Sequence, residues 1–400
     1  MPEGKKTLIA LDTDHIKQYV FATDRLKEIR GASSILDYLN RETMLRLAEK
    51  FQAERVYANG GSGLFLIDAE KAEQFGQQVQ RTYQEQSQGG ASITFVTQEL
   101  PDNIEGIRTD GLSDEAKHML QKYPIHIQPI MTHDLSGELE LLRYRLREKK
   151  AYPDVPIIAL SSHPFMRSCD SCGVEYAERP YREADSEPAV FYCASCREKQ
   201  REDDQVKKRI PAALHRIDKH KRITQGHLWN RILIYLQEAG YPLPPDLSTL
   251  DRPNDFNEFR LFARSKEYLG LIYADANNMG TKMEELKTLI KIREFADSVD
   301  DHIHMAMSRA IKKHLPIVEV EQGGKTVPLF PFDILLVGGD DIVMVTDATK
   351  AMDVALTIAQ EFRKLSGYTL SIGVVLAPVK YPFGLLREIV EGALKFAKAE

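Results

Sequence analysis

The sequence predicts an α+β protein: two ferredoxin-like (βαββαβ) domains, with a zinc-ribbon-like insertion and a helical linker between them. Three observations carry this expectation. The order of strand-like and helix-like segments near the start recurs near the end. A Gly-Gly hairpin signal falls at the same place in both runs, at Gly60-Gly61 and Gly338-Gly339. Between the runs lie the chain's only four cysteines, as the C-x-x-C pairs Cys169/Cys172 and Cys193/Cys196.

The first run opens with TLIALD (7–12), a short apolar stretch that fits a buried strand. Apolar residues at helical spacing follow through SSILDYLNRETMLRLAEKF (33–51). RVYANGGSGLFLID (55–68) places two glycines between apolar arms and reads as a hairpin. AEKAEQFGQQVQRTYQEQ (69–86) is a helix by pattern, ASITFVT (91–97) alternates like a strand, and GELELLRYRLREKK (137–150) is a charged amphipathic helix. The second run repeats the order. It has a strand YLGLIYAD (268–275), helical sequence over 281–315, a hairpin over 333–345, a helix over 348–365, a strand over 369–377 and a helix over 382–400. This is the split βαβ arrangement, twice.

The copies overlay. TLIALDTD on GLIYADAN puts Asp12 on Asp275. The hairpins put Gly60-Gly61-Ser62-Gly63 on Gly338-Gly339-Asp340-Asp341, and DAEKA (68–72) follows one hairpin as DATKA (347–351) follows the other. The glycines are common to both copies; the carboxylates stand in one. The fold therefore does not need Asp340 and Asp341, which weakens their reading as a mere turn. The expected domains are 1–160, the four-cysteine module 161–202, a helical linker 203–265, and 266–400.

Bulk composition sets limits. The chain has 400 residues, 43% hydrophobic and 28% charged, with a formal net charge of −6. It has the composition of a globular protein and lacks an overall basic coat for non-specific nucleic-acid binding. No apolar stretch approaches the ~18 residues of a membrane span, and MPEGKKTLIALD contains no apolar signal region. A cytoplasmic location without a membrane is expected. The basic stretch VKKRIPAALHRIDKHKR (206–222) reads as a solvated helix face and linker, with an RNA or phosphate contact as the alternative, and AGYPLPPDLSTLDRPNDF (239–256) as a Pro-rich connector. The 20 residues between the two cysteine pairs approach the spacing of a zinc site. Four thiolates from two tight turns would close a tetrahedral structural Zn²⁺ site.

Asp275 ends a strand, and Asp340-Asp341 sit at a hairpin turn. In a βαββ sheet these strands can be neighbours, so three carboxylates converge. Like charges at close range raise one another's pKa unless a cation offsets them. Hard divalent ions take oxygen ligands. Two of them, Mg²⁺ or Mn²⁺, suit an in-line phosphoryl displacement on a bound ATP. The backbone carbonyl of Ala276 is a further candidate ligand. Asn277 and Asn278 are candidate sugar or phosphate contacts, and Lys398, on the last helix, is a candidate triphosphate contact. Gly338 and Gly339 would let the backbone approach the phosphates.

GGDD on a hairpin, a preceding strand that ends in Asp275, an acid-free first copy and the cysteine module together resemble the large polymerase-like subunit of type III CRISPR effector complexes, the cyclic-oligoadenylate synthase family. DHIKQYVFATDRLKEIRGASSILDYLN (14–40) is similar to that family's first palm, with its R-G-A-S helix entry, and RSCDSCG (167–173) to the start of its zinc module. The resemblance runs from about residue 7 to 399. It implies two nucleotide-cyclase-like palms, the first degenerate. It also implies antiviral nucleotidyltransferase activity that makes cyclic oligoadenylates from ATP, triggered when guide RNA pairs with target RNA in a complex with other effector subunits. By carry-over, Asp275, Asp340 and Asp341 hold the metal ions, with Gly338 and Gly339 shaping the turn. A second ATP would sit at the first palm near Ser33, Gly60 and Gly61, and Asp12 would be a vestigial ligand.

Two departures bear on this. Many members carry an N-terminal His-Asp nuclease domain. Here the first copy begins within ten residues and the THD at Thr132 lies inside it, so no such DNase is expected in this chain. Many also continue into a C-terminal helical domain, whereas this sequence stops at the last palm helix. It is then either a piece of a longer protein or a compact stand-alone or dimeric relative. Two rival functions stay open: a cyclic dinucleotide synthase of the GGDEF-like class, against which Asp341-Ile342 stand where Glu-Phe is usual, and a non-catalytic RNA-guided scaffold.

Overall fold

The computed structural model describes residues 5–101, 104, 111–152, 165–181, 189–213, 227–247, 250–262, 267–322 and 324–399. In chain order the elements are β1 (Lys6–Thr13), α1 (Ile16–Val20), α2 (Leu26–Tyr38), a π-helical turn (Leu39–Thr43), α3 (Met44–Phe51), β2 (Glu54–Asn59), β3 (Ser62–Asp68), α4 (Ala69–Gln86), β4 (Ile93–Glu99), α5 (Asp114–Gln121), α6 (Gln128–Thr132), α7 (Ser136–Ala151), β5 (Arg179–Tyr181), β6 (Val190–Tyr192), α8 (Ala194–Ala213), α9 (Leu228–Glu238), a 3-10 turn (Phe256–Leu261), β7 (Tyr268–Ala276), α10 (Met279–Glu285), α11 (Leu289–His314), β8 (Val318–Gln322), β9 (Lys325–Leu329), β10 (Phe332–Gly338), β11 (Asp341–Asp347), α12 (Ala351–Ser366), β12 (Leu370–Pro378) and α13 (Phe383–Ala399).

Two compact units result, each discontinuous in sequence. The first gathers β1, the π turn through α7, α10 and the opening of α11 as far as Asp300. The second gathers α1, α2, β5 through β7, the rest of α11, and β8 through α13. Each unit holds one four-stranded antiparallel sheet. The orders are β2-β3-β1-β4 and β10-β11-β7-β12, the same topology twice.

The register repeats as well. Asp12 pairs with Ser62 and Thr94, and Asp275 pairs with Asp341 and Ser371. A bulge interrupts β2 between Arg55 and Tyr57, and another interrupts β10 between Ile334 and Leu336, at matching positions. This register corrects the sequence overlay by one residue. Asn59–Ser62 and Gly338–Asp341 are the closing pairs of the hairpins. Ser62 is therefore the counterpart of Asp341, and Gly61 that of Asp340. The backbone agrees: the Thr13 N–H donates to Gly61 O, and the Ala276 N–H to Asp340 O.

Several local readings also change. The helix expected over 33–51 starts earlier, as α2, and is broken by the π turn before α3. The helix expected over 281–315 splits into α10 and α11 around residues 286–288. The polar middle of the cysteine module contains β5, paired with β6, and an unanticipated hairpin, β8–β9, precedes β10. α8 runs from the cysteine module into the basic stretch, whose end at 214–222 lies outside the described residues.

In the first unit, Leu8, Leu64, Leu66 and Val96 pack with Leu120, Tyr123, Met131 and Leu139 of α5 to α7 and with Leu289 and Ile290 of α11. In the second, α13 buries Phe383, Leu386, Val390 and Leu394, spaced three and four residues apart, as an amphipathic helix on a sheet should. Gly373 on β12 permits the close approach, since a Cβ there would lie 2.5 Å from Val390 O.

The R-G-A-S segment has a packing role. Arg30 is buried and donates to Asp203 of α8 and Asp333 of β10, each at 2.7 Å. A Cβ on Gly31 would collide with the Lys199 backbone of α8, so only glycine lets the two helices touch. The Ser33 hydroxyl donates to Leu335 O on the β10 bulge. Ser33, expected near a nucleotide, is 2% exposed with its hydroxyl spent on backbone, so the structure assigns it to holding β10 instead.

Candidate active site

β7 runs through the centre of the second sheet and delivers Asp275 beside its cross-strand partner Asp341. Directly paired residues on neighbouring strands keep their Cβ atoms about 4.5–5.5 Å apart, so these carboxylates are close neighbours. Asp340 occupies the turn between β10 and β11, where Gly339 takes φ 62°. All three acids are partly buried.

Two lysines answer this charge. Lys398, in the last turn of α13, holds Asp275 Oδ2 at 2.5 Å. Lys17, on α1, lies 3.5 Å from Asp341 Oδ2 and 4.9 Å from the centre of the Tyr273 ring. Burial pushes Asp341 up to about 7; Lys17 pulls it down, and Asp340 and Asp275 push it up again. Asp340 also lies above its ordinary range, through burial first and the Asp275 charge second. Burial disfavours the Lys17 ammonium, but Asp341 and Tyr273 outweigh that and hold its pKa above normal.

Asp341 Oδ1 is buried and has no hydrogen-bond partner among the described residues. A hard-cation ligand would supply what that oxygen lacks. The three carboxylates do not all gather within 4.8 Å of one another.

Around the acids, the Asn277 amide donates to Thr369 Oγ1 at 2.9 Å and its Oδ1 accepts from Ser371 at 2.8 Å, which fixes the end of β7. Asn278 is left-handed (φ 62°) and precedes α10 with no side-chain cap bond. Ala276 is buried and donates its N–H to Asp340 O at 3.0 Å. In the first unit, Gly60 and Gly61 form the turn with φ 59° and 84°, and the Thr13 hydroxyl binds Gly61 O at 2.6 Å.

Sequence reasoning missed Lys17 and Lys150. Lys150, in the last turn of α7, pairs with Asp12 in the first unit as Lys398 pairs with Asp275 in the second. Carrying the overlay to each copy's last helix would have found Lys150. No local signal marks Lys17.

The four cysteines meet as expected. Their sulfurs all lie within 4.8 Å of one another, the only such group of three or more metal-binding side chains among the described residues. Cys172 and Cys193 Sγ are 3.9 Å apart, far beyond the ~2.05 Å of a disulfide. Tetrahedral zinc with bonds of about 2.3 Å needs sulfurs about 3.8 Å apart, so the residues fit zinc.

The second unit thus sets acids at a hairpin and at the end of the adjoining strand of a four-stranded antiparallel sheet. Residues 268–400 match the Cas10/Cmr2 second palm domain. No curated protein matches the chain. Among solved structures it is similar to Csm1 of T. onnurineus (12% identity, TM-score 0.57, covering 99% of this chain and 52% of that one). It is also similar to a Csm1–Csm4 cassette in complex with one ATP (12%, 0.59, 99% and 53%) and to one in complex with cA4 (11%, 0.58, 99% and 53%). The chain spans about half the length of the chains it matches. The C-terminal third is thus similar to the Cas10/Cmr2 second palm domain, and the fold of the chain is similar to about half of Csm1. The resemblance to the large subunit of type III CRISPR complexes is the one these matches bear out.

Proposed function

We propose that the chain is a nucleotidyltransferase that builds cyclic oligoadenylates from ATP, with its second βαββαβ unit as the catalytic palm and its first as a degenerate one. The observation that carries this is the Asp275–Asp341 pair at the end of a Cas10-type palm, with a buried carboxylate oxygen left open toward a cation. The matched cassettes are in complex with ATP, pppApA, cA3 and cA4, the substrate, an intermediate and the rings of such a reaction.

Asp275, Asp340 and Asp341, with the Ala276 carbonyl, would hold Mg²⁺ or Mn²⁺. Such ions, when bound, acidify an attacking hydroxyl and neutralise a leaving pyrophosphate. The rest falls to the chain. A ribose 3′-hydroxyl gives its proton to solvent as its oxygen bonds to the α-phosphorus of ATP, the bond from that phosphorus to the α,β-bridging oxygen breaks, and pyrophosphate leaves with the electron pair. With Asp275 and Asp341 holding cations, Lys398 and Lys17 would be free to meet the triphosphate as point charges. Gly339 keeps the turn backbone close to it. Asn277, fixed by Thr369 and Ser371, and Asn278 border the sugar, and Gly60 and Gly61 border a second ATP at the first unit. A Csm4-type partner, guide RNA and target RNA complete the assembly and its trigger.

Incubation with ATP and Mg²⁺ or Mn²⁺, alone and with the cognate complex and target RNA, should give cyclic oligoadenylates by mass spectrometry. No oligoadenylate under any of these conditions would sink the proposal. Lys17 offers a finer check. It lowers the Asp341 pKa, so Lys17→Ala should raise that pKa further. The acidic limb of the pH–rate profile should then move to higher pH, by roughly one unit for a lost close ion pair. An unmoved limb would remove Lys17 from the site.

A further inference from the structure

The second compact unit contains a cleft of about 680 Å³, inside the ~300–1,000 Å³ range of small-molecule sites. It is not the acid site. Val379 to Phe383, just beyond the end of β12, line it, whereas Asp275 pairs with Ser371 near the start of that strand. At about 3.3 Å per residue, Ser371 and Pro378 at opposite ends of β12 are roughly 23 Å apart.

The cleft contains an unmet polar group. Glu28 lines it, is 2% exposed, and its Oε1 has no hydrogen-bond partner among the described residues. Burial raises its pKa to about 7, against the nearby Arg25 charge and a hydrogen bond with Tyr192. Above that pH the ionised carboxylate is left with Oε1 to accept from a ligand hydrogen-bond donor. Flat surface is also present: Tyr381, 39% exposed, lines the cleft beside the buried, mutually stacked rings of Phe256 and Phe383.

Three cations, Arg25, Lys27 and Lys380, complete the lining. Of the other acids there, Asp24 accepts the Gly384 N–H at 2.7 Å and Asp255 accepts the N–H groups of Asn257 and Glu258. Both carboxylates are turned to backbone donors, and the exposed Lys380 is left to face an incoming anion.

We propose that this cleft binds a nucleoside phosphate whose base carries an exocyclic amino group: the amino N–H meets Glu28, the base lies against Tyr381, and the exposed Lys380 takes the phosphate with Lys27 beside it. Carboxylates accept from exocyclic amino groups, and aromatic rings stack bases of any identity. A free mononucleotide and a nucleotide at the end of a strand present the same chemistry, so the test includes both.

The test is calorimetric titration, at about pH 8 where Glu28 is ionised, of the full chain carrying Asp340→Ala and Asp341→Ala without added divalent cations, so that the acid site does not contribute and the cysteine module keeps its metal. AMP and CMP should bind, and UMP, with a carbonyl in place of the amino group, at least about tenfold more weakly. Lys380→Ala on the exposed rim should weaken AMP about tenfold and leave adenosine unchanged. Glu28→Met, close to isosteric, should erase the preference for AMP over UMP. Hydrogen exchange should slow at 24–28 and 379–383. Tighter binding of a short oligoadenylate than of AMP assigns the site to a strand end, and equal binding to a free nucleotide. No binding of AMP or CMP at millimolar concentration, equal affinity for UMP, or indifference to Lys380→Ala overturns the proposal.

Discussion

Replacing Asp340 and Asp341 together by alanine is expected to abolish oligoadenylate formation, by at least about a thousandfold, because charge stabilisation at the reacting phosphate is usually the largest single catalytic contribution. Conversion of labelled ATP measures it. The fold should survive, because Gly61 and Ser62 occupy the same two places in the first unit and that hairpin closes with the same pairing. The pH dependence gives a second, independent readout. Asp341 is raised from an ordinary 3.8 to about 7, and Asp340 is raised as well. In that interval the folded protein binds more protons than the unfolded chain, so stability contributed by the protonated acids is present at low pH and is lost as pH rises through about 7. Metal-free wild type should lose up to a few kcal/mol this way. The double variant should not, and without added Mg²⁺ should melt above wild type near about pH 8, with the gap closing near pH 4 or on adding Mg²⁺. A variant that melts lower without added Mg²⁺ would mean that the carboxylates hold the hairpin together and are not reserved for a cation.

The contrast between the hairpins was legible in the sequence, but its register was not. Matching Gly-Gly to Gly-Gly aligns letters, whereas a hairpin is aligned by its closing pair. Gly60 and Gly61 are the two turn residues of the first hairpin; Gly339 and Asp340 are those of the second, and Gly338 ends β10. Asp275, at the end of an apolar strand, and the two C-x-x-C pairs were legible because strand polarity and ligand spacing are local properties. Lys17 was not: its place beside Asp341 depends on packing between segments more than 300 residues apart in sequence. Nor was the fate of α2 and α10. Periodicity shows that a helix has an apolar face, not which sheet that face covers, and α2 joins the second unit while α10 joins the first. Ser33 shows the same limit. A small polar residue in R-G-A-S fits a nucleotide contact or a buried helix face equally well until its hydroxyl is found on Leu335 O.

Stripping the metal from the four cysteines is expected to cost more stability than any single substitution outside them, and to loosen the acid hairpin. Structural zinc sites contribute apparent binding energies of about 10–16 kcal/mol that are coupled to folding. The thiols sit where a hydrophobic core would otherwise be needed, since their cluster is closed by little more than Tyr192 and Val190. The loss should travel along α8. Cys196 lies in its first turn, and Asp203, two turns on, is about 10 Å away at 1.5 Å per residue. Between them, Lys199 donates to Tyr19 O at 2.7 Å and its backbone receives Gly31. Asp203 holds Arg30, and Arg30 holds Asp333 at the foot of β10, the strand that ends at Gly338. If α8 shifts and takes Asp203 away, the buried Arg30 and Arg252 are left to share Asp333 alone, and loss of one partner of a buried charge pair costs about 3–5 kcal/mol. The preparation should contain one zinc per chain by elemental analysis. Chelation, or Cys169→Ser with Cys172→Ser, should lower Tm by on the order of 10 °C or more and speed hydrogen exchange in 332–338 as well as in 189–203. A chain that keeps its Tm after complete loss of zinc would reject the structural role. A fall in Tm with unchanged exchange at 332–338 would confine the zinc to its own module and break the proposed path from α8 to the acids.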